Sequence, residues 1–152
     1  MATTVILIRH ADKDIPQVGA DPSLNGKGMA RARELVHVLS AAGIQAVYTS
    51  QATRAKMTGK PFLQAHPALP IVRLGLAADL REHILAHHEG QTVLVVGHAD
   101  TVPELIRQLG GPPLPLINDC VFDELFVLVR HSATESSLTN LKYGEPTAPC
   151  GP

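Results

Sequence analysis

The chain has 152 residues, a formal net charge of −1, 18% charged and 45% hydrophobic residues, the make-up of one compact soluble domain with a full core. The near-neutral charge argues against a nucleic-acid or anionic-membrane surface, and two Tyr, three Phe and no Trp leave little for base stacking. The start lacks the basic flank and long apolar stretch of a signal peptide, and no run reaches membrane-spanning length, so a cytoplasmic setting is expected.

Thr4–Ile8 is short, β-branched and without alternation, as expected of a parallel strand buried on both faces. Residues 11–23 read as loop, punctuated by Pro16, Gly19 and Pro22. Asn25 can cap a helix to about Ala42, with Ala32, Leu35, Val36 and Leu39 at helical spacing and Gly43 as the stop. Ala46-Val47-Tyr48 is a second strand. Ser50 can cap a helix from Gln51, which Pro61 is expected to end or kink. Pro70–Arg73 is a weaker third strand. Residues 76–88 predict a helix with Leu76, Leu80, Ile84 and Leu85 on one stripe.

Thr92–Val96 is the fourth strand. Asp100 or Thr101 caps the next helix, Pro103 sits in its first turn and Gly110-Gly111 closes it. Glu124–Arg130 and Ser136–Tyr143 predict a hairpin, whose edge could pair with another copy; the oligomeric state is open. Residues 1–145 form the expected domain, and the Pro-rich segment from Glu145 to Pro152 reads as a mobile tail. Cys120 and Cys150 are too few for a disulfide scaffold and read as free thiols, with pairing of loop to tail as the alternative. The β-α-β-α order predicts a three-layer α/β/α fold on a mostly parallel sheet with one antiparallel strand.

Two of these strands end alike. Val5-Ile6-Leu7-Ile8 runs into Arg9-His10, and Val93-Leu94-Val95-Val96 runs into Gly97-His98. Open α/β sheets bind ligands at the carboxyl ends of their strands. Arg54 follows the second strand in the first turn of its helix. If the first, second and fourth strands are neighbours, Arg9, His10, Arg54 and His98 converge. Guanidinium forks match phosphate oxygens, and the helix starts after Ser50 and after His98 offer backbone N–H donors. Cations beside a histidine favour its neutral, nucleophilic form. The expected chemistry is attack of His10 on a phosphoryl group, with Arg9, Arg54 and His98 stabilising its oxygens, then hydrolysis of the phosphohistidine.

These residues resemble a known family. Leu7-Ile8-Arg9-His10-Ala11 is similar to the Arg-His-Gly motif of the histidine phosphatase superfamily, which has the phosphoglycerate mutase-like fold. Leu24-Asn25-x-x-Gly28-x-x-Arg31-Ala32, Ser50-x-x-x-Arg54-Ala55 and Val95-Val96-Gly97-His98 resemble its further segments, in its order. The resemblance implies a phosphatase with His10 as the phosphorylated residue, and with Arg9, Arg54 and His98 completing the phosphate pocket. It implies no cofactor or metal, and a phosphorylated small molecule or phosphoprotein as substrate. Mutases of the family carry a glutamate in a Trp-Glu-Gly segment, whereas this chain has no Trp and offers only Asp79, Glu82 and Glu89 in that region. The short bacterial phosphohistidine phosphatases therefore fit better than a mutase. Candidate general acids are Asp12, Asp100 and Glu82. Asp100 doubles as a helix cap, and Asp12 could instead pair with Lys13 or Arg54.

Two other readings compete. His83 and His87 stand at i, i+4 with His88 adjacent, a zinc-like spacing without a third ligand in register; a solvated helix face accounts for them. Gly26-Lys27-Gly28 lacks the remainder of a phosphate-binding loop. His37, His66 and His131 read as surface or packing residues. The pocket could also bind phosphate without turnover, as a sensor.

Overall fold

The computed structural model describes residues 1–15 and 19–151, so Pro16 and Pro152 lie outside the described residues. The elements are β1 (Thr3–Arg9), α1 (Gly26–Val38), β2 (Ala46–Thr49), α2 (Thr53–Ala65), β3 (Ile71–Arg73), α3 (Ala77–His87), β4 (Thr92–Gly97), α4 (Thr101–Gln108), β5 (Glu124–Ser132) and β6 (Glu135–Lys142). They form one sheet in the order β3-β2-β4-β1-β5-β6. β1 pairs parallel with β4, and β2 pairs parallel with β4 and with β3. β5 is antiparallel to both β1 and β6, so it alone runs against the others. This is the expected α/β architecture.

Helices cover both faces, which is why the central strands do not alternate. Val5, Leu7, Val93 and Val95 pack against Leu80 and Ile84 of α3 and Leu105 and Ile106 of α4. Their neighbours Ile6, Ile8, Leu94 and Val96 pack on the other face against Leu35 of α1 and Phe62 of α2. Each such side chain contributes roughly 1.5–3 kcal/mol on burial. A third small cluster, Ala11, Leu24 and Ala32, seats the start of α1 beside the end of β1. Gly28 permits that approach, because a Cβ there would lie 2.1 Å from the carbonyl oxygen of Asp12.

Several local expectations change. α1 stops at Val38 rather than Ala42, and the chain turns before Gly43, which takes φ +70°. Asn25 caps α1 as expected, its side chain accepting from the N–H of Gly28. Ser50 is not the cap of α2. That helix starts at Thr53, whose N–H and hydroxyl both donate to Asp21. Pro61 does not end it: α2 continues to Ala65, and the bond missing at Pro61 is offset by burial of Ala55, Thr58 and Phe62. Leu76 leaves the α3 stripe, standing 67% exposed at the N-cap, and Ala77, Leu80 and Ile84 form the buried face.

The cysteines are not free thiols, because Cys120 and Cys150 form a disulfide. The segment read as a mobile tail is correspondingly tethered. Thr147 binds Asp123 through its N–H and its hydroxyl, and the N–H of Cys150 donates to the Asn118 side chain. Among the described residues no helix is long and apolar enough to cross a membrane.

Candidate active site

The strand order brings the polar strand ends together. Arg9 is paired with Gly97, and Thr49 with Val96, so Arg9-His10, Gly97-His98 and Thr49-Ser50 emerge side by side. The N–H of His10 donates to the carbonyl of Gly97 (2.8 Å), extending the β1–β4 pairing by one residue. The imidazoles of His10 and His98 stand 5.3 Å apart between centroids. Arg54, in the first turn of α2, brings Nη2 to 3.5 Å from Nδ1 of His98. The guanidinium of Arg9 lies 4.2 Å above the ring of Phe122, which also neighbours His10. All four predicted residues therefore meet at one place.

Hydrogen bonding fixes which nitrogen of His10 is available. Its Nδ1 is 2.9 Å from the carbonyl oxygen of Ala11. A carbonyl only accepts, so Nδ1 carries the proton and Nε2 holds the lone pair. Burial lowers the pKa of His10 to about 3; the Ala11 bond opposes this, and Arg9, His98 and Arg54 push further down. His98 is lowered by burial first and then by Arg54. Both rings are thus neutral near pH 7. Arg9 is pushed down to about 10, chiefly by burial, and stays charged; Asp119 acts the other way. The Nε atoms of Arg9 and Arg54 are buried and have no hydrogen-bond partner among the described residues. Unmet cationic donors beside neutral imidazoles suit an incoming oxyanion.

The depressed pKa of His10 has a consequence for stability. Below its ordinary value of about 6.5, the unfolded chain takes up a proton that the folded chain refuses. Stability from this group is complete above about pH 6.5 and is lost as pH falls towards 3. His10→Asn removes the group. In chemical denaturation from pH 6.5 to 4, wild type should lose stability faster than the variant, by up to about 1.4 kcal/mol per pH unit. Parallel pH dependences would show that His10 is not buried neutral.

Of the candidate acids, Asp12 has a different partner from those expected, and Asp100 takes the capping role that the sequence also offered it. Asp12 is buried and paired with Arg31, Nε to Oδ1 at 2.6 Å, rather than with Lys13 or Arg54. Asp100 caps α4, accepting from the N–H of Thr101 at 2.9 Å. Glu82 stands exposed on α3. Several backbone donors expected to face a phosphate are also occupied: the N–H of Thr53 by Asp21, that of Ala52 by Ser50 and that of His98 by Thr101. On α3, Nδ1 of His83 lies 2.8 Å from the Tyr48 hydroxyl, and the His83 and His87 rings stack at 4.3 Å.

Three contributors were missed. Ser50 Oγ is 2.7 Å from Nε2 of His98, a partnership that only the fold creates. Thr58 accepts from the N–H of Ala11 and donates to the carbonyl of Arg54, both at 2.8 Å. Its i+4 spacing from Arg54 was a readable signal of such back-bonding. Lys13 lines a cleft with Asp12 and Phe122, and its ammonium pKa is lowered by burial and then by Arg9 and Arg54.

Comparison with known proteins points the same way. A Schizosaccharomyces pombe protein named Probable phosphatase C1687.21 is 33% identical over 95 residues, covering 59% of this chain and 44% of that protein. The match thus spans less than half the length of that relative. The structure of the protein histidine phosphatase SixA complexed with tungstate superposes with a TM-score of 0.71 at 20% identity, over 91% of this chain and 96% of that one. Bacillus stearothermophilus YhfR gives 0.71 at 20% identity, over 87% and 93%. The pattern described as Histidine phosphatase superfamily (branch 1) matches residues 5–83, a stretch that holds Arg9, His10 and Arg54, and the chain belongs to that superfamily.

Proposed function

We propose that the chain is a phosphatase that works through a phosphohistidine on His10. The observation that carries this is the Nε2 lone pair of a neutral imidazole, held by Ala11 at Nδ1 and without a hydrogen-bond partner among the described residues, with Arg9 and Arg54 lowering the pKa of the ring. Nε2 attacks phosphorus, a nitrogen–phosphorus bond forms, and the bond to the leaving group breaks. Arg9 and Arg54 offset the charge on the transferring oxygens, with His98 as the neutral ring beside them. Water then attacks the phosphohistidine, Nε2 departs with its electron pair, and inorganic phosphate is released. Arg54 Nη2 can only donate, so its contact with Nδ1 of His98 places the lone pair there, and Nε2–H then donates to the Ser50 hydroxyl.

With two guanidiniums supplying the counter-charge, the mechanism runs without a metal. With Asp12 and Asp100 engaged elsewhere, the site favours a leaving group that departs with little proton help. Imidazole from phosphohistidine and an aryl oxide meet that condition better than an alkoxide. The substrate is then a phosphorylated small molecule or a phosphoprotein. The test is inorganic phosphate release from an aryl phosphate in the presence of a strong chelator. Release that vanadate blocks is expected. Vanadate binding without release would mark a binding module, and release abolished by the chelator would mark a metallohydrolase.

A further inference from the structure

Arg9 is held by backbone oxygens of the segment that leads from α4 to β5. Its Nη1 donates to the carbonyls of Asn118 (3.0 Å), Asp119 (3.1 Å) and Val121 (2.9 Å). The next residue, Phe122, is the ring beneath the guanidinium. The position of Arg9 is therefore only as well defined as that segment. Asn118 Oδ1 accepts from the N–H of Cys120 (2.9 Å) and of Cys150 (3.0 Å), and its Nδ2 donates to the Cys150 carbonyl (3.1 Å). The N–H of Phe122 donates to the Thr147 hydroxyl at 3.0 Å. The Cys120–Cys150 disulfide is the covalent member of this clamp, in the middle of the three carbonyls that grip Arg9. Both cysteines are only partly buried, and Cys120 lines an open cleft with Asp12, Lys13 and Phe122, so a small reductant can reach it.

We propose that the Cys120–Cys150 disulfide is a redox-controlled positioning device for Arg9, and through Arg9 for the substrate phosphate. The proposal rests on the phosphate-pocket reading given above. A dithiol reductant opens the clamp: the sulfur–sulfur bond takes two electrons and two protons to give two thiols, and the dithiol becomes its own disulfide. Residues 118–121 then keep their place only through hydrogen bonds, and the three carbonyls loosen on Nη1. A guanidinium free to wander binds the phosphate less well, while His10 keeps its Nδ1 bond to the Ala11 carbonyl.

The test compares air-oxidised and dithiothreitol-treated protein, with Cys120→Ser and Cys150→Ser alongside. On reduction, KM for an aryl phosphate and Kd for vanadate should rise together by about tenfold, the cost of loosening one charge-assisted contact, with a smaller change in kcat. Both Ser variants should match the reduced protein and ignore dithiothreitol, and re-oxidation should restore the tight form of wild type. Calorimetric vanadate binding needs no turnover. Absence of aryl phosphate hydrolysis in both redox states would therefore defeat the phosphatase reading while still testing the clamp. Equal vanadate affinity in the two states would overturn the proposal. So would alkylation of both cysteines as free thiols in the oxidised protein, or loss of the far-UV circular dichroism spectrum on reduction, which would make the disulfide a global staple.

Discussion

His10→Ala is expected to lower kcat/KM for an aryl phosphate by at least about 10⁴-fold, the scale of losing a covalent nucleophile, and to leave no phosphate trapped on the protein in acid-free quench. The reason is geometric. Nδ1 of His10 is committed to the Ala11 carbonyl, and only Nε2 is left to attack. His98 cannot replace it, because its Nε2 is engaged by Ser50 and its Nδ1 faces Arg54. The variant retains Arg9, Arg54 and His98, so it should still bind vanadate, with affinity reduced far less than turnover. That contrast separates a nucleophile from a residue that only binds. His98→Ala should slow the reaction yet still allow labelled phosphate to accumulate on His10. Full activity of His10→Ala, or label retained on it, would remove His10 from the mechanism.

The parts of this site visible in the sequence are those carried by strand ends. Runs such as Val5–Ile8 and Val93–Val96 are apolar on both faces because helices cover both faces, and whatever follows them must appear at the sheet edge. Arg9, His10 and His98 could be found that way, and Arg54 by its place just inside the next helix. The contacts that tune these groups could not. Ser50 lies 48 positions from His98 in the chain, and either a cap or a histidine partner satisfies its hydroxyl equally well locally. Arg9 is gripped by three backbone carbonyls, which leave no signature in side-chain identity. Two cysteines without a framework do not announce a pair, and the composition of residues 145–152 hides the tethers at Thr147 and Cys150. Asp12 is the instructive miss, because its nearest cation in the chain, Lys13, is not its partner. The fold chooses Arg31, one turn inside α1 from the close contact at Gly28.

Arg31→Met is expected to destabilise the protein by about 3–5 kcal/mol in chemical denaturation, because it leaves the Asp12 carboxylate buried without a counter-charge. The Arg31 side chain is 1% exposed and that of Asp12 7%. Beyond the 2.6 Å bond to Oδ1, Nη2 reaches Oδ2 at 3.3 Å, Nη1 donates to the Tyr143 carbonyl at 2.7 Å, and Nη2 to the Glu145 carbonyl at 2.8 Å. One side chain thus ties the segment after His10 and α1 to the backbone that leaves β6. Removing Asp12 as well should recover part of the loss: Asp12→Leu with Arg31→Met takes away both charges, and a buried pair replaced as a unit costs less than one broken in half. The same pair decides the role of Asp12. If the carboxylate is a structural anion, Asp12→Asn lowers the denaturation midpoint and leaves kcat within a few-fold. If it is a proton donor, the variant loses about 10²–10⁴-fold on a poor leaving group while its stability hardly moves. The contacts to Arg31, 2.6 Å at Oδ1 and 3.3 Å at Oδ2, weigh for the first outcome, since both carboxylate oxygens are already taken up by that partner.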